Sequence, residues 1–206
     1  MITVSFAPQA SFAAVGDARR QIVEELLKAG LDLGDDAAET VKLLLSELLT
    51  NAIRHGYGGE IENPSVRILV RAEAQPTTGL LRVAVLDPSA AVPEPRKTGA
   101  DAESGRGLPL VDALSTRYGW VKGQDGAKWV WFEINVTCPA LGAATSVQKA
   151  GPDEQADAGR REWAVRLIAV LDAYKQAPCT RSAPRLGAIR PRSPRRAVTV
   201  QMGRVA

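Results

Sequence analysis

The chain has 206 residues, 45% of them hydrophobic and 24% charged, with a formal net charge of +3. That length closes one substantial core with an appendage and does not stretch to two full domains. No apolar run reaches the ~18 to 20 residues that span a bilayer, and Met1 to Phe6 lacks the basic start and long apolar stretch of a secretion signal, so a cytoplasmic protein without membrane contact is expected.

The charge is unevenly divided. Residues 1–137 carry 14 Lys and Arg against 18 Asp and Glu, whereas residues 138–206 carry 12 against 5. An acidic folded part followed by a basic tail differs from a uniformly basic nucleic-acid binder, and nucleic-acid contact is expected only weakly, through the tail, by counterion release. Cys138 and Cys179 fit neither a metal knuckle nor a disulfide framework and are expected to be reduced.

In chain order, Ile2 to Phe6 alternates like a strand. Ala13 to Ala29 reads as a helix with Val15, Ala18, Ile22, Leu26 and Ala29 on one face, ended by Gly30. A second helix is predicted over about 35–55, acidic at its start as the helix dipole favours, and stopped by Gly56-Tyr57-Gly58-Gly59. Strands are predicted at 66–72 and 80–86 with a hairpin connection at 75–79. From Asp87 to Gly107 periodicity disappears in a Pro- and Gly-rich stretch of the kind that forms lids and binding loops. A helix over 108–115 and strands near 118–122 and 128–136, turning at Gln124-Asp125-Gly126, complete the folded part. Residues 140–159 are low in complexity. Residues 160–176 form an amphipathic pattern with Trp163, Leu167, Val170, Leu171 and Tyr174 on one side, which suits docking on the domain or on a partner. From Ala177 onward there are seven Arg, four Pro and no acid, a composition that predicts disorder.

Within the second helix, Glu47 and Asn51 stand four residues apart, so a carboxylate and a carboxamide stack on one face. At roughly 100° per residue, Glu47, Thr50, Asn51 and Arg54 share one arc, and Val41, Leu45, Leu48, Leu49 and Ala52 fill an apolar arc opposite. Such a pair can serve a metal and a nucleophile together. Asp87 ends the strand Val83-Ala84-Val85-Leu86, where its carboxylate can accept from an exocyclic amine or simply form a turn before Pro88. Ser104-Gly105-Arg106-Gly107-Leu108 lies where the long loop meets a helix N-terminus, a place suited to phosphate oxygens and also to a plain hinge. Gly126 to Glu133 reads as a closing scaffold strand.

Taken together, these motifs over about residues 1–137 resemble the Bergerat-fold ATP-binding module of gyrase and histidine kinases, and most closely the anti-sigma regulatory factor serine kinases. Glu47 to Gly56 looks like that family's N-box, Asp87-Pro88-Ser89 like its adenine box, and Ser104 to Leu108 like its second glycine box. The resemblance implies an α+β fold, a two-layer α/β sandwich over 1–137, with 138–206 as a largely disordered basic tail. It implies ATP and Mg²⁺ as cofactors, Asn51 as the metal ligand and Glu47 as the catalytic base toward a serine or threonine hydroxyl. Asp87 and Ser89 would meet adenine, while Gly105, Arg106, Gly107 and Leu108 would line the phosphates and Arg54 would sit near them. Ser89 and Ala91 depart from the family, which commonly has glycine at both positions.

The implied function is an ATP-dependent protein serine/threonine kinase and anti-sigma factor that switches between a sigma factor and an antagonist it phosphorylates. The alternative is an ATP-gated regulatory binding module without significant kinase activity. Whether the domain forms a homodimer is left open. A histidine kinase is a poorer fit because the only histidine, His55, lies within the nucleotide helix.

Overall fold

A computed structural model describes residues 1–59, 61, 63, 65–91, 107–122, 126–136, 165 and 169. Five strands form one antiparallel sheet: β1 (Ile2–Phe6), β2 (Val70–Gln75), β3 (Leu80–Asp87), β4 (Arg117–Lys122) and β5 (Lys128–Asn135), in the order β1-β2-β3-β5-β4. Three helices join them: α1 (Phe12–Lys28), α2 (Gly34–Asn51) and α3 (Gly107–Leu114). This is an α+β two-layer sandwich.

Each helix begins or packs for a local reason. Ser11 caps α1, its side chain accepting from the Ala14 amide, and the α1 face that includes Ala18, Ile22 and Leu26 is buried. Ala29, the last member of the predicted stripe, is exposed because the helix has already ended there. α2 starts with Asp35 and Asp36 in its first turn and buries Val41, Leu44, Leu45, Leu48 and Leu49 against α1 and the sheet.

Strand alternation decides which sheet residues meet these helices. Leu81, Val83 and Val85 of β3 and Phe132 and Ile134 of β5 join the helix-side core, with Val70, Ala72 and Ala74 of β2. Phe132 is fully buried, worth about 1.5–3 kcal/mol relative to exposure. On the opposite face the register sets Glu73, Arg82, Glu133 and Arg117 in one row across four strands, alternating in sign. Arg71 pairs with Glu73 at 2.6 Å and Arg82 pairs with Glu133.

Two elements differ from the sequence expectation. The strand predicted at 66–72 is Val70–Gln75. In the β1–β2 register Pro8 faces Ile68 and has no N–H to return its bond, so the ladder breaks there and Gln9 to Arg67 is left as an isolated bridge, with the Ile68 amide donating to Pro8 O and the Ala10 amide to Val66 O. The second helix stays α-helical only to Asn51, then continues as a π-helical turn from Ala52 to Gly56. Residues 92–106, most of the predicted lid, lie outside the described residues, as do the turn residues Gln124 and Asp125 and both cysteines. Among the described residues no helix is long and apolar enough to cross a membrane.

Candidate functional site

The apolar arc of α2 is buried as its spacing requires, which leaves Glu47, Thr50 and Asn51 half-buried on the other side. Beyond Asn51 the helix widens: the Tyr57 amide donates to Ala52 O at 3.1 Å and the Gly59 amide to Ile53 O at 3.0 Å. Single π-helical turns of this kind recur at functional sites because the extra residue takes the downstream side chains off the α-helical register. Arg54 and His55 are exposed, and Gly56 is carried against the end of β3.

That approach is close enough to require glycine. A Cβ on Gly56 would lie 2.5 Å from Asp87 Oδ1 and 2.8 Å from Pro88 Cδ. A matching contact occurs toward the other end of the same segment, where a Cβ on Gly107 would lie 2.5 Å from Glu47 Oε2 and 3.5 Å from Asn51 Nδ2. One continuous helical segment therefore touches the strand end carrying Asp87 and the N-terminus of α3. The segment from α2 through the π-helical turn thus links Glu47 and Asn51, packed against Gly107, to Asp87, packed against Gly56, and the face it presents between them is the candidate groove. Leu108, half-buried, follows Gly107 in α3, while Gly105 and Arg106 lie outside the described residues.

Asp87 is 5% exposed. Its Oδ1 accepts from the Ser89 amide at 2.8 Å, and its Oδ2 lies 2.7 Å from Lys128 Nζ. Burial pushes the carboxyl above its ordinary range, opposed by the hydrogen bond and charge of Lys128, by the Ser89 amide and by the charge of His55. Lys128 Nζ also donates to Ser89 O at 3.0 Å, and Ser89 Oγ accepts from the Ala91 amide at 3.1 Å. Ser89 therefore supports the turn with three groups where a glycine could use only two.

Sequence reading missed Lys128. The pairing itself comes from strand register, because β3 and β5 are antiparallel and set Lys128 directly opposite Asp87. A lysine at the start of the otherwise apolar run Trp129-Val130-Trp131-Phe132 needs an anion if it is buried, and at 2% exposure it has one in Asp87.

A helix bearing a carboxylate and an amide lies between a buried strand-end aspartate and a second helix N-terminus. Residues 9–134 match the model of the histidine kinase-like ATPase domain. That span exceeds half of the chain, which belongs to this family and is an ATP-binding module of the GHKL type. The chain matches no curated protein.

Proposed function

We propose that the chain is an ATP-dependent protein serine/threonine kinase and anti-sigma factor, which switches between a sigma factor and an anti-sigma factor antagonist that it phosphorylates. The observation that carries this reading is the approach of Gly107 to both Glu47 and Asn51. Helix N-terminal amides favour phosphate oxygens, with Gly105, Arg106, Gly107 and Leu108 the residues to line them. The Asn51 amide oxygen is a fitting ligand for Mg²⁺, which takes one or two protein oxygens and completes its shell with phosphates and water. Mg²⁺ held there would supply neutralisation of the phosphate charge.

A carboxylate beside phosphates is electrostatically unfavourable unless a cation or an accepted proton offsets its charge. Glu47 is the proton acceptor in this reading. It takes the proton of the antagonist's serine or threonine hydroxyl while that oxygen bonds to the γ-phosphorus and the bond to the ADP oxygen breaks. Asp87 accepts from the exocyclic amine of adenine, beside Ser89. Arg54 and His55 are exposed at the end of the segment, and Arg54 would sit near the phosphates.

The second reading, an ATP-gated binding module without kinase activity, draws support from the Asp87–Lys128 pair and from Ser89 and Ala91 at glycine positions. Incubation with γ-labelled ATP, Mg²⁺ and candidate antagonists separates the two. Label on an antagonist serine or threonine is expected. ATP-dependent sigma-factor binding with no label on any antagonist would replace the kinase with the gated module. Asn51→Ala is expected to abolish Mg²⁺-dependent ATP binding with the fold retained, and unchanged affinity would refute the site.

A further inference from the structure

We infer that residues 160–176 of this chain dock as a helix on the face of the sheet opposite α1, α2 and α3, making it a covered face. Strand parity puts Ala84 and Leu86 of β3, Val121 of β4 and Trp129 and Trp131 of β5 on that face, and none of them belongs to the helix-side core. Trp129 is nevertheless 0% exposed, Leu86 1% and Trp131 6%. An indole on a bare sheet has lateral neighbours only and keeps its outer surface in water. Full burial requires a layer above it, and the described helices α1, α2 and α3 all lie on the other side.

The rest of the chain offers few segments able to form that layer. Residues 92–106 contain Val92 as their only large apolar side chain, and residues 137–159 contain Leu141 and Val147. Residues 177–206 carry seven Arg. The 160–176 stretch concentrates two aromatic and five large aliphatic residues, of which Trp163, Leu167, Val170, Leu171 and Tyr174 recur at the spacing of one helix face.

The two described positions within it give an independent orientation. Val165 and Ala169 are both helical, and both are exposed, Val165 by 56%. Trp163, Leu167, Val170, Leu171 and Tyr174 fall roughly 120° to 180° around the helix from Val165. In a helix running through these two positions the apolar stripe would face away from the exposed side. A helix of this length is about 25 Å long, ample to cross β2 to β4, which at ~4.8 Å per strand spacing lie roughly 14 Å apart. The 23 residues from Thr137 to Gly159 reach from the end of β5 to any point on that face.

Docking there would brace β5, whose Lys128 faces the groove while Trp129 faces the covering layer. It would also anchor the basic 177–206 segment behind the sheet, away from the nucleotide groove.

Leu167→Asp and Val165→Asp in the full chain test this, read by hydroxyl-radical footprinting of Trp129 and Trp131 and by thermal melting. Leu167→Asp is expected to raise oxidation of both indoles several-fold and to lower Tm, while Val165→Asp changes neither. Unchanged oxidation in Leu167→Asp, or equal effects of the two substitutions, would overturn the inference. Should Leu167→Asp fail to fold, Leu167→Ala must still raise oxidation relative to wild type, and no rise overturns the inference. Wild-type protection that disappears on dilution would assign the cover to a second copy and likewise overturn it.

Discussion

Glu47 and Asp87 are two carboxylates on one groove, and the protein treats them differently. Asp87 is buried and held by Lys128 and the Ser89 amide, whereas Glu47 is half-buried and faces the Gly107 backbone. The Asp87 end, where the proposed function seats the base, carries its own counter-cation inside the fold. At the phosphate end no cation among the described residues pairs with Glu47, and there the incoming metal and substrate supply the balance. In the proposed reading, the base end is thus balanced electrostatically within the fold, while the phosphate end is balanced by the ligand.

Removing the counter-cation breaks this contrast most severely. Lys128→Met strands a buried carboxylate, and loss of one partner of a buried pair costs about 3–5 kcal/mol. Burial already raises the Asp87 carboxyl, and removing the ammonium raises it further, so the stability loss should shrink as the pH falls and the carboxyl protonates. Denaturant melts at neutral and acid pH measure this. Adding Asp87→Asn to Lys128→Met should recover much of the loss, and a fully additive double mutant would show that the pair does not interact.

At the other end, Glu47→Gln keeps size and position but removes the proposed proton acceptor. Phosphoryl transfer should fall by about 10²-fold or more with near-normal ATP affinity. Single-turnover transfer and equilibrium binding on the same preparation check the two halves of that statement.

The glycine contacts sharpen the comparison. Gly56→Ala drives a Cβ into the Asp87 carboxylate and the Pro88 ring, neither of which can retreat easily, and should cost about 1–3 kcal/mol of stability. Gly107→Ala meets only the flexible end of Glu47, so stability should hardly change while transfer falls. Equal stability losses in the two variants would contradict the assigned rigidity of the base end.

The smallest expected effect is on nucleotide choice. Ionised Asp87 only accepts hydrogen bonds, and once protonated it can also donate. Because its carboxyl is raised, preference for adenine over guanine should decline on acidification before an ordinary carboxylate would protonate. The same raised carboxyl binds a proton more tightly in the folded than in the unfolded state, so its contribution to stability declines as pH rises through the window above 3.8. Competition binding of ATP and GTP across pH, compared with Asp87→Asn, should show the dependence in wild type and a flat profile in the variant.

Much of this groove was legible locally. Glu47 and Asn51 follow from a spacing of four residues in an amphipathic helix, and the buried arc beneath them from the same period. Asp87 announced itself by ending an apolar strand. The π-helical turn did not, because residues 52–56 continue the helical pattern and the extra residue appears only when Gly56 packs on Asp87. The displaced start of β2 was equally hidden, since it depends on which residue Pro8 faces across the sheet.

The sequence by itself determined the order of elements, the apolar faces and the acidic and amide side chains of the groove, because each rests on periodicity within one segment. Tertiary structure decided what those side chains meet. The Asp87–Lys128 pair joins residues 41 positions apart through strand register, and the Gly107–Glu47 approach joins two helices across the long loop. Partners so distant in sequence are selected by packing, and no local propensity encodes them.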